Sequence, residues 1–165
     1  MTTYHHSFRA GVAICALLFT GACSKDKSDT PNTSGSDEMS WTVDGKTETA
    51  VFTTGGLISL GNLPLLTVVG KLTNGSGGTM TTLNMGRAVG TYPLAASATT
   101  GYSAAYTVSP SENYIGSGGS ATVTTYAPST TAGQSHVVGT FTFTGTDPNG
   151  AGTKTVTNGK FDIKF

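Results

Sequence analysis

The stretch Val137-Val138-Gly139-Thr140-Phe141-Thr142-Phe143-Thr144 alternates with a period of two. Gly139, Phe141 and Phe143 point one way, and Thr140, Thr142 and Thr144 the other. Only an extended strand puts every second side chain on one face, so one side of this segment meets a core and the other meets water. The end of the chain repeats the device, with Phe161, Ile163 and Phe165 inward and Lys160, Asp162 and Lys164 outward. Asn158-Gly159, just before it, has the residue pair of a two-residue hairpin and is expected to join Lys160–Phe165 to Thr153–Thr157. Asp44-Gly45 is expected to join Met39–Val43 to the run Lys46–Thr53 in the same way.

Between these hairpins, Leu63–Leu72, Thr79–Met85, Gly90–Leu94, Tyr102–Val108 and Ala121–Tyr126 supply further strands, about nine in all. From Ser40 onward, 26 of 126 residues are threonine, whose branched side chain suits a pleated, half-exposed surface. Glycine punctuates the same region and supplies turns. No apolar repeat of period 3.6 is long enough there to predict a helix. The expectation is one all-β domain over residues 40–165, an antiparallel β-sandwich or small barrel, with the sandwich preferred. Leu63–Leu72, apolar on both faces, is expected to lie centrally.

The N-terminal region reads differently. A polar start with His5, His6 and Arg9 precedes an apolar run from Gly11 to Phe19 and a small-residue region at Gly21 and Ala22. This is the layout of a signal peptide over residues 1–22, and its apolar run falls well short of the roughly 20 residues that span a bilayer. Leu18 to Cys23, LFTGAC, resembles the cleavage site of bacterial lipoproteins, with Thr20 where that site usually has leucine. The resemblance implies a diacylglyceryl group on the Cys23 thiol. The alternative is an ordinary signal peptide that leaves Cys23 a free thiol. Cys15 would leave with the leader, so the mature chain could form no internal disulfide. Residues 23–39 then read as the lipidated cysteine and a polar tether. Ser24 to Asp29 resembles the short acidic signals that send Bacteroidetes lipoproteins to the outer face of the outer membrane, and a solvated linker has the same composition. An outer-membrane location follows as an expectation, on the periplasmic or the surface side.

The domain's charges are few and balanced: six cations, Lys46, Lys71, Arg87, Lys154, Lys160 and Lys164, against five anions, Asp44, Glu48, Glu112, Asp147 and Asp162. No basic stripe exists for a nucleic-acid backbone, and the contact expected with a membrane is the lipid on Cys23 alone. His136 is the domain's one histidine, too few for a zinc site, and it cannot face the same way along a strand as its neighbour Ser135. Asp44 belongs to a turn, Asp147-Pro148-Asn149-Gly150 reads as a β-turn rather than a calcium loop, and Asp162 lies on an exposed strand face. That leaves Glu48 and Glu112 as carboxylates without a motif. No catalytic residue, metal or cofactor is expected.

Tyrosines and Trp41 are the candidates for sugar stacking, because an aromatic ring offers flat apolar area with a polar edge. Trp41 alternates with Met39 and Val43, and Tyr102 and Tyr106 share a face with Ala104 and Val108, which places these rings in the core. Tyr114 and Tyr126, in or beside loops rich in glycine and serine, are the expected exposed contacts for a glycan or protein ligand. The threonine ladders 140, 142, 144 and 153, 155, 157 resemble ice-binding arrays, although ordinary exposed β-faces share their make-up.

The order of motifs, a lipoprotein leader, W-x-V-D-G-K at Trp41–Lys46, G-T-Y-P-L at Gly90–Leu94, G-T-F-x-F at Gly139–Phe143 and N-G-K-F-D-I at Asn158–Ile163, resembles a family of Bacteroidetes lipoproteins classed as a domain of unknown function. The resemblance implies the fold and the modified cysteine. The function expected is that of a lipid-anchored, non-catalytic binding or accessory module; a passive structural lipoprotein, or a lipid or small-molecule carrier, is the alternative.

Overall fold

The computed structural model describes residues 37–73, 78–97 and 99–165. The leader, Cys23 and nearly all of the tether lie outside the described residues. Every regular element is a strand: β1 (Glu38–Val43), β2 (Lys46–Thr49), β3 (Phe52–Leu60), β4 (Leu63–Lys71), β5 (Met80–Met85), β6 (Gly90–Pro93), β7 (Ser103–Ser109), β8 (Glu112–Ala127), β9 (His136–Thr146) and β10 (Thr153–Lys164). Nine of them form one antiparallel sheet in the order β2-β1-β10-β9-β8-β7-β5-β4-β3, and β6 pairs with β8 off this path. The all-β, antiparallel expectation holds. In place of two stacked sheets, a single sheet curls into a half-barrel, so the arrangement is the barrel-like member of the expected pair.

The curl is held where the chain passes from one end of the sheet to the other. Ala50 N–H donates to Met39 O on β1 and Val51 N–H donates to Lys71 O on β4, both at 2.8 Å. These two residues interrupt what would have been one strand through Thr53, sending β2 to one edge and β3 to the other. The interior is filled by Met39, Trp41, Leu66, Val68, Leu83, Met85, Val123, Phe141, Phe143, Phe161 and Ile163, all nearly or fully buried. Val137, Gly139, Phe141 and Phe143 face this core while Thr140 and Thr142 face outward, as their alternation requires. Met39 belongs to β1 and to the core, and the Asp37 carboxylate accepts from Lys164 N–H at 2.7 Å, so the ordered sheet begins inside the stretch read as tether.

Aromatic rings inside the curl lie over glycines of the neighbouring strand. A Cβ on Gly139 would stand 2.4 Å from the Phe161 ring and one on Gly159 2.6 Å from the Phe141 ring, whereas Gly119 and Gly145 lie close against the backbone of the facing strand, their Cβ positions 2.2 Å from Thr142 O and 2.8 Å from Tyr114 O. The pairing of a large side chain with a missing one lets strands carry wide rings within a narrow interior. It also explains three departures from the sequence reading. Asn158-Gly159 is a bulge inside a continuous β10, with Asn158 as the extra residue at φ 52°, because Gly159 is needed opposite Phe141. The segment Gly116–Gly119 is not a loop but the middle of the 16-residue β8, where Gly116 permits the close approach of Leu94 O. β3 extends through Gly55-Gly56 to Leu60, past Thr53 where the expected run ends. β4, expected to be central, lies second from the edge; its outer-face residue Leu65 is covered instead by the turn at Gly101. Asp44-Gly45 forms the expected hairpin, with φ of 51° and 78°, and Gly150 N–H closes the expected turn on Asp147 O at 3.2 Å.

Candidate functional site

Tyr114 is not an exposed ligand contact. It sits in β8 with 2% of its surface exposed, under the core, because the glycines after it continue the strand. Tyr126 is half-buried against the core near the end of β8 and lines none of the three cavities described below. His136 Nε2 lies 2.7 Å from Asp162 Oδ1, while the Ser135 hydroxyl turns away and bonds the backbone of Ser129. The pair is therefore a hydrogen-bonded surface contact without a nucleophile.

The two carboxylates without a motif each hold one of two adjacent tyrosines. Glu48, the inward residue of the short edge strand β2, accepts from Trp41 Nε1 at 2.8 Å and from the Tyr106 hydroxyl at 3.3 Å. Tyr106 and Tyr114 lie side by side with ring centroids 6.3 Å apart, and Tyr114 donates to Glu112 Oε1 at 2.6 Å. The Lys154 ammonium lies 5.9 Å from the Tyr114 ring centroid and bonds Asp44. Burial, followed by the Glu48 charge, pushes the Tyr106 phenol far above its usual range. The hydrogen bond to Glu112, followed by burial, pushes Tyr114 up to about 12. These side chains satisfy one another, and none of them lines the cavities described below. The chemistry open to them is structural: two carboxylates hold two protonated phenols.

An open arrangement forms at the β3–β4 hairpin end. Arg87, in the β5–β6 loop, donates from Nε to Leu65 O at 3.2 Å and from Nη2 to Ile58 O at 2.7 Å. Beside it Tyr92 and Tyr102 meet edge to face, centroids 5.1 Å apart and planes at 72°. Tyr92 donates to Ala88 O at 2.6 Å, and Gly86 has no side chain to displace its ring. Burial pushes the Tyr92 phenol above its usual value. The turn through Gly101, at φ 69°, packs on Leu60, Leu63 and Leu65 and delivers Tyr102. Together these residues enclose a cavity of about 340 Å³. Sequence reasoning placed Tyr102 with the core, because it continues the alternation of β7 by one residue; the turn at Gly101 ends that alternation. No local signal links the β5–β6 loop to that turn.

The opposite, outward face of β1, β8, β9 and β10 carries hydroxyls. Thr49, Ser40, Lys160, Thr140, Thr122 and Thr91 lie in one cross-strand row, and two grooves of about 390 and 630 Å³ share Thr140 and Lys160. Several hydroxyls bond each other, as in Thr91–Thr122 at 3.0 Å and Thr42–Thr47 at 3.2 Å. Register shifts at Asn158, Ser117 and Thr124 break the repeat that an ice-like lattice would demand. Comparison with known protein families, with curated proteins and with solved structures returns no match.

Proposed function

We propose that this chain is a lipid-anchored protein of the bacterial outer membrane, attached through Cys23, whose β domain is a non-catalytic module that binds carbohydrate in the Arg87–Tyr92–Tyr102 cavity. The observation that carries the reading is the pairing of two half-buried tyrosine rings with a guanidinium at the rim of an open cavity. Such rings give a sugar flat apolar area, and a guanidinium that spends two donors on backbone carbonyls retains others for hydroxyls. The LFTGAC motif and the polar stretch after it support the anchor and would hold the domain away from lipid headgroups.

Glycan-array binding by the purified mature chain tests the site. Saturable binding that Tyr102→Ala abolishes and Thr140→Ala leaves intact is the expected result. Binding that survives Tyr102→Ala, or no saturable ligand at all, overturns it, and the second outcome is that of a passive envelope protein. For the anchor, a palmitate analogue should label the native chain and not Cys23→Ser; equal labelling removes the lipid from the reading.

A further inference from the structure

We infer that β3 is a pairing edge for a second copy of this chain, joined strand to strand and antiparallel about a two-fold axis near Ile58. β3 is the last strand of the sheet, and its nine residues, FTTGGLISL, pair with β4 in unbroken register from Phe52↔Lys71 to Leu60↔Leu63. Among the described residues no other strand pairs with it. Ser59 and Pro64 stand next to the hairpin-closing pair Leu60↔Leu63, so they form a non-hydrogen-bonded pair and the backbone groups of Ser59 point out of the ladder. A row of unpaired backbone groups over such a length is a template for another strand.

The two ends of the sheet are treated differently. β2, at the other end, has four residues, carries Lys46 on its exposed side and turns the charged Glu48 inward, three devices that discourage strand addition. β3 has none: no charge, no proline, no bulge. Its exposed side chains are instead apolar, Phe52 at 46%, Leu57 at 47%, Ile58 at 41% and Leu60 at 57%. The first half of the strand is flanked by its own chain, since Thr53 donates to Asp37 O at 3.2 Å and the Phe165 ring lies against Gly55. The accessible edge is therefore Gly56–Leu60.

A second copy is the occupant these features select. Two-fold pairing puts Ile58 beside its own copy, Leu57 across from Ser59 and Leu60 across from Gly56. Ile58 then covers its own copy, and no side chain of β3 itself brings a like charge to the contact. Both free edges are consumed in one contact, whereas a foreign strand satisfies only one. With the five residues Gly56–Leu60 on each side, against the ~20–30 of a standard interface, the association is weak and reversible in solution. Chains anchored in one membrane would meet at far higher effective concentration. The inference does not rest on the carbohydrate site, and Tyr102→Ala is expected to leave pairing unchanged.

Sedimentation equilibrium of the mature chain over a wide concentration range, with hydrogen exchange read at Gly56–Leu60, tests the proposal. The expected result is a monomer–dimer equilibrium in which amide protection at these residues rises with concentration. Leu57→Lys and, separately, Leu60→Lys should weaken association about tenfold each, with unchanged circular dichroism, while Thr47→Lys on β2 leaves it intact. A chain that stays monomeric throughout overturns the proposal, as does a dimer insensitive to both lysines. Flotation with phosphatidylethanolamine–phosphatidylglycerol vesicles is the third arm: a monomer that binds vesicles through Leu57 and Leu60 makes the edge a lipid contact and refutes self-pairing.

Discussion

Gly139→Ala probes the idea that the curled interior is built from rings over missing side chains. The new Cβ would sit 2.4 Å from the Phe161 ring and 2.4 Å from the carbonyl oxygen of Thr122 on β8, where an ordinary contact is 3.5–4.0 Å. Both obstacles must retreat by more than an ångström. The ring cannot swing aside, because Phe161 is 2% exposed and stacks on Phe141 at 6.3 Å; the carbonyl cannot, because it belongs to the β8 ladder. Overpacking of this kind costs about 3 kcal/mol, less the ~0.4–1 kcal/mol gained by restricting the unfolded chain. Gly56→Ala is the matched control: it lies in a strand, nothing stands within 4 Å of its Cβ, and only the favourable term remains. Urea unfolding followed by the fluorescence of Trp41, the one tryptophan and a fully buried one, reads the difference. With a slope of roughly 1–3 kcal/mol per molar, Gly139→Ala should unfold about 1–3 M earlier than Gly56→Ala. Coincident midpoints for the two variants would refute the packing argument.

Trp41→Phe removes the donor at 2.8 Å from a buried carboxylate and should destabilise by about 2 kcal/mol in thermal unfolding; adding Glu48→Gln should recover part of that loss, and full additivity would deny the coupling. Alkaline titration should find Tyr106 and Tyr114 ionising late. Because their folded values lie above the ordinary 10, with Tyr114 at about 12, the stability they lend is complete below pH 10 and is lost as pH rises through 12. Phenolate absorbance rising near pH 10 for every tyrosine in the folded chain would contradict this. At the β10 bulge, where Asn158 has φ 52°, Asn158→Gly should be neutral or slightly stabilising while Asn158→Val costs about 1–2 kcal/mol by chemical denaturation; equal effects would rule out the left-handed backbone as the constraint.

Much of the sheet was legible because alternation is a local property. Val137–Thr144 and Phe161–Ile163 reveal inward and outward faces within a few residues, and Trp41 is core for the same reason. The candidate site was not legible. Tyr114 reads as exposed because Gly116, Gly118 and Gly119 follow it, yet all three are strand residues, and Gly116 and Gly119 lie close under backbone carbonyls, Leu94 O and Thr142 O. Tyr92 and Tyr102 meet only because the β5–β6 loop and the Gly101 turn fold over the β4 face from opposite directions along the chain.

By itself the sequence determined the fold class, the facing of each long alternating strand and the type I′ turn at Asp44-Gly45, since all of these follow from side-chain period and backbone preference. Only the tertiary structure decided which glycines are turns and which are gaps for a neighbour's ring. It also decided that Asn158-Gly159 is a bulge, that one sheet curls on itself, and that β3 rather than β2 is left as the apolar edge. The reason is physical: a glycine's local freedom is identical in either role, and what distinguishes them is the ring placed opposite it by a strand distant in sequence.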